Sequence, residues 1–208
     1  MTGWAMAPWP LGNGRRADHR LWHAGRVRAF EVVLAIEWGA FWSYWLVAAR
    51  SMKRGRTPWS RELGIRVVIA AAVILLVRLG AFSHHALNTD LWLAGLGVAL
   101  CSLGLAFAVW ARRHIGANWG TPMTKKAAPE LVTTGPYHLV RHPIYSGLLV
   151  AAAGTVVALD WTWLAVVVLA AVYFVYCATV EERFLTDQFP DTYGPYQRAT
   201  KMLLPFVL

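Results

Sequence analysis

The sequence predicts an all-α integral membrane protein with about five transmembrane helices, and three observations carry that expectation. Hydrophobic residues make up 57% of the 208 and the mean hydropathy is +0.42, too apolar for an ordinary soluble domain. Apolar runs recur at residues 30–49, 65–82, 91–110, 143–159 and 161–180. At about 1.5 Å per residue, each is long enough to cross or nearly cross a bilayer. The alternating pattern of a membrane barrel is absent, and an open sheet would leave backbone groups unpaired in lipid.

Residues 1–29 read as a basic tail whose Trp4, Trp9 and Trp22, mixed with Arg and Pro, suit an interfacial or disordered segment. It lacks the short apolar core of a signal peptide and is expected to stay attached. Residues 30–110 hold three expected spans. Glu31 and Glu37 in the first, and Arg66 and Arg78 in the second, are expected to snorkel or pair across helices. Gly95, Gly97 and Gly104 lack the strand-turn-helix context of a nucleotide loop and are assigned to close helix packing. Residues 111–208 hold the last two spans, interrupted only by Asp160, and a C-terminal tail. So short a connection makes these two helices antiparallel. The hairpin therefore returns Glu181 and Glu182 to the membrane face of Arg141 and His142.

A net charge of +9 raises nucleic acid as a partner, but the basic residues gather between apolar runs and no nucleic-acid-binding module is visible. Anionic lipid headgroups are the simpler partner. Arg50 to Arg56, Arg112, Arg113, Lys125 and Lys126 are expected to be cytoplasmic, whereas Asn88-Thr89-Asp90 and Asp160 are not. Five crossings would leave the Arg-rich N-terminal tail outside, against the same rule, and the later loops are given more weight because they agree. Cys101 and Cys177 each fall in an apolar run, with neither zinc spacing nor a disulfide framework. His84-His85 has no companion ligands, so no metal site is expected.

Chemistry concentrates in Gly135-Pro136-Tyr137-His138-Leu139-Val140-Arg141-His142-Pro143-Ile144-Tyr145-Ser146-Gly147. Pro143 disfavours helix at His142 and can itself begin one, so His142 is expected at a helix entrance. Amides there, with Arg141, can stabilise a carboxylate, and His138 can share that pocket. Glu181 and Glu182 project about 100° apart on a helix, so one should face a ligand and the other pair with Arg141 or Arg183. A structural Arg/Glu lock explains the same charges equally well.

The run from Gly116-Ala117-Asn118-Trp119 through Leu131 to Tyr137 and Arg141 to Gly147, with Glu181-Glu182, Tyr193-Gly194-Pro195-Tyr196 and Leu204-Pro205-Phe206, resembles the isoprenylcysteine carboxyl methyltransferase family and its relatives among membrane phospholipid methyltransferases. The resemblance covers nearly the whole C-terminal half. It implies an S-adenosylmethionine cofactor in a cytoplasmic pocket formed by the last two helices and the tail. It also implies cofactor contacts from Asn118, His138, Val140, Arg141, His142, Tyr145, Glu181, Glu182, Tyr193 and Tyr196. Catalysis would fall to Arg141, His142 and Tyr145, with a lipophilic acceptor, an isoprenoid or fatty-type carboxylate, entering from the bilayer on the side of the first three spans. The implied location is the cell's inner (plasma) membrane with the site facing the cytoplasm, and no obligate protein partner is evident. A nicotinamide-dependent membrane reductase of the sterol-reductase type and a noncatalytic lipid-binding protein are the competing readings.

Overall fold

The computed structural model describes residues 14–50, 55–56, 64, 71, 90–119, 125–126 and 130–204. The span expected at 65–82, apart from Ala71, lies outside these residues, as do His84-His85, Trp4, Trp9 and the terminal Pro205-Phe206. The described elements are α1 (Gly14–Ala49), β1 (Gly55–Arg56), α2 (Leu91–Ile115), β2 (Lys125–Lys126), α3 (Pro136–Leu139), α4 (Pro143–Ala158), α5 (Leu164–Gln188) and α6 (Tyr193–Ala199). Among the described residues the only sheet is the two-residue antiparallel pairing of β1 with β2, which joins two basic loops.

Three described helices are long and apolar enough to cross a membrane: Ala29–Ala49, Leu91–Ile115 and Trp161–Gln188. The fourth, Pro143–Ala158, is shorter, so five spans are not reached within the described residues. The first helix begins at Gly14, well before its apolar portion, so the backbone of residues 14–29 is helical.

Local chemistry sets the helix ends. The Asp90 carboxylate accepts from the Trp92 amide at 2.9 Å and caps α2. Arg112, Arg113 and His114 occupy its last turn, where positive charge complements the helix dipole. Gly116 follows at φ +56°, a conformation that suits glycine. Asp160, the one interruption between the last two apolar runs, caps the 3-10 turn Trp161–Trp163 by accepting from the Thr162 amide at 2.7 Å. Pro143 opens α4 with His142 at its N-cap, as the sequence predicts.

A glycine seam joins α2 to α4. A Cβ on Gly97 would lie 2.4 Å from the Ala158 nitrogen, and one on Gly104 would lie 2.5 Å from that of Ala151. On the facing helix, a Cβ on Gly147 would meet the Gly104 carbonyl oxygen at 2.6 Å, and one on Gly154 the Cys101 nitrogen at 2.5 Å. These pairings run in opposite directions, so the helices are antiparallel and their backbones touch. Gly95 meets nothing within 4 Å and takes no part in the seam.

Helix α1 covers one side of this pair with buried Leu34 and Phe41. The Trp38 indole donates to the Thr155 hydroxyl at 3.1 Å, and Glu37 is satisfied in part by Ser102, whose hydroxyl donates at 2.5 Å. The Arg112 side chain donates to the Ala48 carbonyl at 2.5 Å, so α1 and α2 end at the same level. Because α4 runs against α2, and α5 against α4, the C-terminal ends of α1, α2 and α5 and the N-terminal end of α4 share one end of the molecule.

Candidate active site

At that end the tail is fastened to the segment before α4. Val140 forms a parallel bridge with Lys201. The amides of Arg141 and His142 donate to the Lys201 and Met202 carbonyls at 2.8 and 3.0 Å, and so hold the tail. Ser146 donates to the Leu203 carbonyl at 2.5 Å, and the Tyr196 hydroxyl donates to the Tyr137 backbone carbonyl at 2.6 Å. Burial pushes the Tyr196 phenol up to about 12, so it remains a donor.

The two adjacent glutamates have different partners. Glu182 is 6% exposed and accepts from Arg141 Nε at 2.7 Å and from Gln197 Nε2 at 2.9 Å. His142 Nε2 lies 3.3 Å from it. Glu181 is more open: it accepts from the Tyr145 hydroxyl at 2.7 Å and lies 3.5 Å from His142 Nδ1. Arg141 also donates through Nη1 to the carbonyls of Gln197 and Thr200. Its Nε and Nη1 therefore serve the lock between α5 and the tail, the structural role that sequence alone left open.

His142, buried at 7% exposure, lies between both carboxylates. Burial opposes its protonation, but the hydrogen bonds and charge of Glu181 and Glu182 prevail, and its pKa is raised above the ordinary imidazole value. Its ring lies parallel to that of Tyr145, 5.6 Å between centroids, and Tyr145 stacks in turn on Phe174 at 4.8 Å. Two glutamates, a raised imidazole and a ring stack thus fix one another.

A cavity of about 580 Å³ opens beside this cluster. Arg141, His142, Tyr145, Glu181, Tyr193 and Tyr196 line it, together with Phe41, Trp42, Trp45 and Trp119. Other residues named from the sequence fall elsewhere. His138 is exposed, Val140 is buried behind the bridge, and Asn118 is buried where its amide donates to Glu130 at 3.0 Å. None of the three lines the cavity, although Trp119 and Glu130 do.

The contribution of α1 was not legible as a motif. Its signal is the i, i+4 spacing of Phe41 and Trp45, which places both rings on one face. Gln197 was equally silent, because a lone glutamine in a polar tail carries no pattern.

The geometry defines the class: a helical membrane protein whose polar cluster and aromatic wall share one cavity at the end of its spans. Residues 92–192 match the family model described as phospholipid methyltransferase. Two relatives are the nickel-cobalt-cadmium resistance protein NccN of Alcaligenes xylosoxydans xylosoxydans, 28% identical over 69% of this chain and 64% of that protein, and the cobalt-zinc-cadmium resistance protein CzcN of Cupriavidus metallidurans, 27% identical over 67% and 63%. A third, protein-S-isoprenylcysteine O-methyltransferase B of Arabidopsis thaliana, is 31% identical over 56% of this chain and 61% of that protein. Each alignment covers less than two thirds of the relative's own length. The match over residues 92–192 and the third relative bear out the resemblance to isoprenylcysteine carboxyl methyltransferases and membrane phospholipid methyltransferases. Two relatives carry metal-resistance names; among the described residues no group of three or more His, Cys, Asp and Glu is arranged to hold a metal ion.

Proposed function

We propose that the protein is an integral membrane methyltransferase that uses S-adenosylmethionine to methylate a lipophilic acceptor, with an isoprenoid or fatty-type carboxylate as the favoured substrate. One observation carries this reading: a single cavity is lined both by charged and hydrogen-bonding side chains and by aromatic rings. The donor set fits the cofactor's chemistry. Glu181 offers a carboxylate to a cationic amino group or sulfonium, His142 a positive partner to a carboxylate, and Tyr193 and Tyr196 ring surfaces to an adenosine. The methyl group comes from the sulfonium of the bound cofactor.

This chain's residues then position and desolvate. Glu181 is aimed by the Tyr145 hydroxyl, His142 is held by both glutamates, and the docked tail shields the polar cluster from water. A carboxylate acceptor is already ionised near neutral pH and needs no dedicated base. The basic residues at this end, Arg50, Arg113 and Lys201 among them, support a site on the cytoplasmic side of the membrane.

The test is calorimetric binding of S-adenosylmethionine, S-adenosylhomocysteine and NADPH to the detergent-purified protein, with Arg141→Ala beside it. Binding of the two sulfur ligands, weakened in the variant, is the expected result. Binding of NADPH alone would replace this reading with a reductase, and binding of none would favour a noncatalytic lipid-binding protein.

A further inference from the structure

We propose that the Tyr137 hydroxyl holds the reacting group of the acceptor, donating to one oxygen of a lipophilic carboxylate and leaving the other free to take the methyl group. The proposal rests on the methyltransferase reading and adds to it a residue absent from the set that the resemblance implies.

Tyr137 is tied down everywhere except at that hydroxyl. Gly135, at φ +61°, leads the chain into α3, and a Cβ there would lie 2.6 Å from the His114 ring, so the close approach requires glycine. His114 Nε2 and the Thr134 hydroxyl are 2.9 Å apart. The His114 ring stacks on that of Tyr137, with 6.4 Å between centroids and 26° between planes. The Tyr137 amide donates to the Thr134 carbonyl at 3.2 Å, and its own carbonyl accepts from the Tyr196 hydroxyl. The end of α2 and the C-terminal tail thus converge on one residue.

The phenol itself is left unengaged. Tyr137 is 7% exposed and lines the cavity, yet among the described residues its hydroxyl makes no hydrogen bond. A donor removed from water without a partner is costly, and a ligand that supplies an acceptor removes that cost. Arg141, His142, Tyr145 and Glu181, by contrast, already have protein partners. Burial pushes the Tyr137 phenol well above its ordinary pKa; Glu181 and Tyr196 add to the shift and Arg112 opposes it. It keeps its proton near neutral pH and is available to donate.

A neutral donor suits a carboxylate nucleophile. The free oxygen of the acceptor forms a bond to the methyl carbon as the carbon-sulfur bond breaks, and the electron pair leaves on sulfur. The products are a methyl ester and S-adenosylhomocysteine, and no proton is transferred. Because the carboxylate loses its charge along this path, a hydrogen bond to it weakens between the bound acceptor and the transition state. Tyr137 therefore serves binding and orientation rather than the chemical barrier. A cation in its place would form the stronger, charge-assisted bond and hold the nucleophile back.

The test uses the full chain loaded with S-adenosylhomocysteine at one fixed detergent concentration, with palmitate and farnesoate carrying 13C at the carboxyl carbon. Binding is followed by the carboxyl resonance. We expect the wild type to bind at least one of the two probes. Tyr137→Phe should weaken that binding by about tenfold, the loss expected for one hydrogen bond to a charged group. The methyl ester of the same probe, which lacks the charge, should be held equally by both proteins. Because Tyr137→Phe keeps the ring stack and the backbone bonds, its thermal midpoint and S-adenosylhomocysteine affinity should match the wild type, whereas a merely structural hydroxyl would shift the midpoint. Binding of neither probe by the wild type, equal carboxylate affinity in the two proteins, or loss of S-adenosylhomocysteine affinity in Tyr137→Phe would overturn the proposal. Failure of the wild type to bind S-adenosylhomocysteine would instead remove the methyltransferase reading on which it rests.

Discussion

Arg141 and Glu182 are worth more as a pair than either is alone. Removing the cation leaves a buried carboxylate without its strongest partner, a loss of about 3–5 kcal/mol for buried pairs. Arg141→Ala should therefore lower the thermal midpoint sharply, and adding Glu182→Gln should recover part of the loss in a double-mutant cycle of thermal unfolding. His142 sets a pH dependence. Its folded pKa is raised, so its contribution is fully present below the unfolded value and disappears as pH rises through the folded one. Thermal stability of the wild type should fall as pH rises from the unfolded value through the folded one, and the fall should flatten in His142→Gln. Tyr145→Phe keeps the ring stack but removes the donor to Glu181. S-adenosylhomocysteine affinity should drop by about tenfold, as expected for loss of one hydrogen bond to a charged group.

Among the elements, the seam between α2 and α4 has the least tolerance. Gly104→Ala would drive a methyl group into the Ala151 backbone, and overpacking of that kind typically costs about 1–3 kcal/mol. Gly95→Ala, with open space around it, should be neutral or slightly stabilising; melting of the two variants in detergent separates these outcomes. The existence of α2, α4 and α5 was legible because apolar length is a strong signal, and Gly97 and Gly104 were assigned correctly to packing. Gly95 was not separable from them, since a one-dimensional pattern does not say which face a partner covers. The bringing together of Arg141, His142, Tyr145, Glu181, Tyr193 and Tyr196 was legible because a short hairpin and a conspicuous motif constrain it. The division between Glu181 and Glu182 was not, because it depends on where Gln197 and the Arg141 guanidinium come to rest. The α1 wall escaped for a related reason: its residues look like any lipid-facing aromatic run until the cavity gives them a common surface.

At the scale of the molecule, the end holding the cavity also collects Arg50, Arg113, His114 and Lys201; the turn at Asp160, residues 159–163, contains no Lys or Arg, whereas Arg26 and Arg28 precede the apolar part of α1 at that same opposite end. The cytoplasmic site proposed above has a direct test. In intact cells, a membrane-impermeant maleimide should label Trp161→Cys, while Arg113→Cys should react only after permeabilisation. The native thiols, Cys101 and Cys177, are buried and should contribute little background. The reverse labelling pattern would invert the orientation.

The bridge between Val140 and Lys201 also has a bearing on biosynthesis. The segment that begins α4 emerges from the ribosome long before residues 201–203, yet the amides of Arg141 and His142 donate in this fold to the Lys201 and Met202 carbonyls, which arrive only then. A partly synthesised chain can insert its hairpin while its polar site remains unassembled. Competence to bind a ligand would thus be acquired late, after the helices are seated.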